Sequence, residues 1–108
     1  MIVMLAMLIA AHALCDYPLQ GDFLAAAKNR QNPIPGVPWP QALAAHAAIH
    51  AGAVLLITGS LTLAAVEFGA HAALDDAKCA GKINFNQDQI AHVLCKVGYC
   101  AAILAGWA

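Results

Sequence analysis

The sequence predicts an all-α fold: a polytopic membrane protein built as a four-helix transmembrane bundle, one domain over residues 1–108. Three observations predict it. Apolar residues make up 62% of the chain and charged residues 10%, with a mean hydropathy of +0.70, whereas ordinary soluble domains carry about 25% charge. A small soluble domain has a large surface to cover, and this chain has too few charges to cover it. Apolar runs of helical length alternate with turn-forming residues. Ionisable residues inside those runs recur at four-residue spacing, which places them on one face of a helix. The formal net charge of -1 offers no electrostatic footprint for nucleic acid, so no such partner is expected.

The first helix is expected over about 2–20. Pro18 lacks a backbone donor and kinks a helix, so the regular part should stop near Tyr17. Met1 to Ala11 is apolar like a signal peptide, but it lacks a basic leading region and a small-residue cleavage site. It is therefore read as a retained first span. Asp22 to Asn29 offers a short amphipathic turn or two. Gln31 to Pro40 holds four prolines and a glycine and is read as a loop, with Trp39 as an interfacial anchor.

The second helix is expected over 41–58, since proline is tolerated in a first helical turn. Gln41 to Asp76 as one helix would measure roughly 54 Å, too long for a bilayer core near 30 Å. A break at Gly59 gives two spans, the third helix covering 61–77. Gly81, Asn84 and Asn86 mark the next connection, with Asn86 as the cap of a fourth helix over 87–107 and Trp107 at the far interface. Lys28, Arg30, Lys78 and Lys82 lie in the first and third connections. The positive-inside rule then puts these loops in the cytoplasm and both termini on the periplasmic side. Cys15, Cys79, Cys95 and Cys100 show no CxxC spacing, so no disulfide framework is expected.

The polar residues form a set. His12 with Asp16, His46 with His50, Asp88 with His92, and the triplet Glu67, His71 and Asp75 use all five histidines and four of the six acids. In the four-span arrangement they fall within roughly 15 Å of helix ends on one side of the membrane. An acid near the centre of a span costs about 2.5 to 3.5 kcal/mol, and a shared cation offsets that cost. The candidate metal ligands are thus His12, Asp16, His46, His50, Glu67, His71, Asp75, Asp88 and His92. Nitrogen and oxygen donors without thiolate suit zinc, manganese or iron. Nine donors exceed what one zinc takes, so two divalent ions are expected, or one ion with the remaining side chains as outer partners and a catalytic acid or base.

Two metals near a membrane surface suit hydrolysis of a phosphoester or lipid head group. Glu67 or Asp75 would act as a catalytic acid or base. Lys96, one turn beyond His92, would hold an anionic substrate or else pair with Glu67. A di-iron oxidoreductase is the main chemical alternative, although the Glu-x-x-His spacing of soluble di-iron bundles is absent. A haem site would leave the carboxylates without a purpose. Proton or metal-ion transport and a small pore-forming or structural protein are the non-enzymatic alternatives. Faces rich in alanine and glycine permit close packing, including between copies. Spacing alone leaves open whether Asp75 or Asp76 points inward.

The pattern His12-x3-Asp16-Tyr17-x2-Gln20, His46-x3-His50, Glu67-x3-His71-x3-Asp75-x2-Lys78 and Asp88-Gln89-x2-His92 resembles a family of small bacterial and phage membrane proteins known only as a domain of unknown function. The resemblance spans nearly the whole chain. It implies a polytopic protein of a bacterial inner membrane, or of a phage host's inner membrane, and adds Tyr17, Gln20, Lys78 and Gln89 to the residues of interest. A weaker likeness is to membrane-bound metal-dependent hydrolases with histidines and carboxylates on similar short helices.

Overall fold

The computed structural model describes residues 1–108 as five α-helices without a strand, one helix more than the sequence predicts. α1 (Ile2–Asp16) ends where Pro18 predicts the regular helix to stop, short of the outer bound at Gln20. Tyr17 leaves helical geometry at φ -103° and ψ -80° while its N–H still bonds Ala13, and Pro18 has no donor with which to continue. The stretch expected to form a turn or two is a true helix, α2 (Gly21–Ala27), set at 82° to α1.

α3 (Trp39–Thr58) begins earlier than expected, with extended Pro38 as its cap and Pro40 in the first turn. Trp39 therefore opens a helix instead of standing in a loop. The break at Gly59 is present: the residue sits in the left-handed region at φ 70°, a conformation that costs other residues about 1–2 kcal/mol. Ser60 caps α4 (Leu61–Cys79) by accepting from the Leu63 N–H at 3.1 Å.

The start of α5 (Phe85–Leu104) corrects the expected cap. Asn84 accepts from the Gln87 N–H at 2.8 Å, and the Gln87 side chain accepts from the Asn84 N–H at 2.9 Å. This reciprocal box satisfies two donors at once, and Asn86 lies inside the helix. α5 stops at Leu104, before Trp107, which is exposed.

The long helices close a ring in which α1 packs on α3, α3 on α4, α4 on α5 and α5 on α1, with α2 laid against α3. One half of the interior is apolar: Leu8, Val54, Leu63, Tyr99 and Cys100 form its centre, lined by Met4, Leu5, Ile57 and Ile103. The other half is polar. Of the 21 buried residues, ten are histidine, lysine, aspartate or glutamate. Ile2, Leu56, Leu61, Ile90, Leu94 and Leu104 meanwhile face outward, each more than half exposed. In the polar half the usual distribution is inverted. All four cysteines are free.

By length and composition α3 is long and apolar enough to cross a bilayer on its own, and α1 with α2 qualifies only if the bent pair counts as one span. The four spans expected from the sequence are not met by this measure. α4 carries Glu67, Asp75, Asp76 and Lys78, and α5 carries Asp88 and Lys96.

Candidate metal centre

Asp16 stands at the centre of the polar half, delivered by the last turn of α1. His50 Nε2 lies 3.0 Å and His46 Nε2 3.2 Å from its Oδ1, both from α3. His71 Nε2, from α4, lies 3.8 Å from the same oxygen. His12, one turn earlier on α1, approaches Oδ2 at 3.3 Å. Gln89 of α5 donates to Oδ2 at 3.0 Å, and its carbonyl oxygen lies 3.1 Å from His12 Nε2.

α1, α3, α4 and α5 each turn their four-spaced histidines and acids toward the interior. Two sets of donor atoms come within 4.8 Å of one another, Asp16 with His46, His50 and His71, and His12 with His71 and His92. His71 belongs to both. Its ring stacks on His50 at 3.7 Å and on His92 at 4.4 Å between centroids. Both of its nitrogens are buried without a hydrogen-bond partner, which is uncommon for a buried polar group. The donor set of three imidazoles and one carboxylate suits zinc, manganese or iron.

The remaining acids face a different partner. Glu67 accepts from Lys96 at 2.8 Å and from the Tyr99 hydroxyl at 2.6 Å. Lys28 pairs with Asp75 at 2.6 Å, and Lys78 lies between Asp75 at 3.3 Å and Asp88 at 3.5 Å. Asp88 also meets His92 at 3.2 Å. Glu67, Asp75 and Asp88, expected as ligands, therefore lie outside both donor sets, each answered by an ammonium. Asp16 is met by imidazoles and an amide alone. Of the two sequence readings of Lys96, the ion pair with Glu67 is the one present.

The ambiguity between the neighbouring acids is resolved. Asp75 points inward at 1% exposure, while Asp76 turns outward to Arg30 at 2.7 Å. That hydrogen bond pushes the exposed Arg30 guanidinium above its ordinary value. Gln20 receives a hydrogen bond from Lys28 and donates to the Asp16 carbonyl at 3.2 Å. Tyr17 faces outward.

Two residues of this network carried no expectation of a place in it. Lys28, expected as a topology signal, is the C-cap of α2, only 2% exposed and paired with Asp75. Tyr99 follows Lys96 by three residues on α5, a spacing that puts both on one face and is visible in the sequence.

The chain belongs to the family described as protein of unknown function (DUF3307), which matches residues 4–105. No curated protein and no solved structure matches it.

Proposed function

We propose that the protein is an intramembrane metal-dependent hydrolase that acts on a phosphoester or lipid head group near the cytoplasmic face. The observation that carries this reading is the convergence of Asp16, His46, His50 and His71 on one buried point, with ligand atoms within 4.8 Å of each other. The apolar exterior and ionic interior support a lipid surrounding for the whole bundle, since hydrocarbon tolerates ionisable groups where they face inward and pair. The 45 Å long axis exceeds a bilayer core of about 30 Å.

Of the one or two divalent ions expected, charge pairing favours one. Lys28, Lys78 and Lys96 answer the three buried acids, Asp75, Asp88 and Glu67, which leaves the half-buried Asp16 as the carboxylate available to a cation. The ion would supply a water of lowered pKa as nucleophile and polarise a phosphoryl oxygen. Zinc held by three of the four side chains, or manganese held by all four, leaves a position for that water.

The same pairing weighs against a di-iron centre, which relies on bridging carboxylates. A through-going ion path is disfavoured by the apolar cluster around Leu8, Val54 and Leu63, which fills the bundle beyond the polar half.

Elemental analysis of detergent-purified protein tests the proposal, together with phosphate release from phosphatidic acid vesicles. About one zinc or manganese per chain, lost with activity in His50→Ala, is the expected result. Bound iron with oxygen consumption would move the assignment to an oxidoreductase. Protein that takes up no metal would overturn it.

A further inference from the structure

We infer that Glu67 is a positioning residue for His71, held in place by Lys96 and Tyr99, and neither a metal ligand nor a general base. The inference rests on the metal reading of the Asp16 group and assigns the carboxylate behind it a role.

His71 presents its two nitrogens to different partners. Nε2 faces Asp16 Oδ1 at 3.8 Å, on the side of the donor set, and Nδ1 faces Glu67 Oε1 at 3.6 Å. A neutral imidazole carries one proton, so a ring that offers Nε2 to a metal carries its hydrogen on Nδ1. Metal-bound histidines regularly give that hydrogen to a carboxylate, which sets the tautomer and raises the basicity of the ligating nitrogen. The gap to Glu67 exceeds an N–H···O hydrogen bond by about 0.4 Å, a distance that ring rotation covers. Glu67 precedes His71 by one helical turn, so α4 itself sets the two side by side.

The other bonds of Glu67 show why it is not free for metal or proton transfer. Oε2 accepts from the Tyr99 hydroxyl and Oε1 from the Lys96 ammonium, both on α5 and three residues apart. Glu67, Lys96 and Tyr99 are 1%, 2% and 5% exposed, leaving little room for water to replace a lost donor. The ammonium keeps the carboxylate ionised and cancels the charge that would attract a second cation. What remains is a lone pair of Oε1 on the side facing His71. The triad also touches the apolar cluster through Tyr99.

The test separates positioning from mere structural support. Removing Lys96 or Glu67 alone strands a buried charge, so the informative variant replaces the triad with apolar residues of similar shape: Glu67→Leu, Lys96→Met and Tyr99→Phe together. It should fold, with a melting temperature near that of the parent in the absence of added metal. Zinc affinity, measured by competition with a chromophoric chelator in detergent, should fall 10- to 100-fold. Nitrogen-15 spectra of the zinc-loaded parent should show His71 protonated on Nδ1. Tyr99→Phe alone should weaken zinc less than the triple replacement does.

A triple variant that keeps the parent's zinc affinity, or a His71 that binds zinc through Nδ1, would overturn the inference and leave the metal reading standing. A triple variant that does not fold passes the decision to the nitrogen-15 spectra of the parent, where zinc on Nε2 with the proton on Nδ1 upholds the inference and zinc on Nδ1 overturns it. A parent that binds no zinc, manganese or iron would remove the metal reading and this inference with it.

Discussion

The two halves of the bundle interior are built from opposite materials. Around Leu8, Val54 and Leu63 the helices meet through close packing, where each contact is weak and the sum is large. Around Asp16 they meet through ion pairs and hydrogen bonds between side chains whose individual burial is costly. The packed half can lose a methyl group and settle. The ionic half loses a partner and is left with a bare charge. Stability and chemistry are thus divided along the bundle axis, and Tyr99 is the residue that belongs to both, with its ring in the apolar cluster and its hydroxyl on Glu67.

The largest disturbance should come from Lys96→Met alone, which leaves Glu67 buried and unpaired. A loss of about 3–5 kcal/mol is expected, read as a steep drop in melting temperature and in monodisperse yield from detergent. Leu8→Ala probes the other half. The cavity should cost about 2–5 kcal/mol, while zinc affinity of the folded fraction stays at the parent value; a parallel loss of affinity would show that the halves are not separable.

Acid probes the ionic half without mutation. Bound metal needs neutral imidazoles and an ionised Asp16 carboxylate, so protons compete with the ion as pH falls. Zinc affinity should therefore fall progressively as the medium is acidified below pH 7, while a His-free apolar half contributes no such dependence. Arg30→Ala should do least. Its pair with Asp76 lies at the surface, where screening by water makes ion pairs weak, and neither melting temperature nor zinc content should change measurably.

Much of this was legible in the chain because its signals are local. Four-residue spacing assigned His12, Asp16, His46, His50, His71 and His92 to inward faces, and Gly59 announced a break. The Asn84-x-x-Gln87 box was also present, but the neighbouring Asn86 competes with it as a cap by composition alone. α2 is foreshadowed only as an amphipathic turn or two at Asp22 to Asn29, because seven residues carry too little periodicity to define a helix.

The sequence by itself determined that the chain is helical, which faces carry imidazole and carboxylate, and that these gather toward one end of the helices, since all three follow from a repeat of 3.6 residues and the order of apolar runs. Only the tertiary structure decided which acid meets ammonium and which meets imidazole. Lys96 is 29 residues from Glu67 and Gln89 is 73 from Asp16, and such pairings depend on how each helix is rotated about its axis against its neighbours. Spacing along one helix cannot specify that rotation, because it is set jointly by the packing of all the helices in the ring.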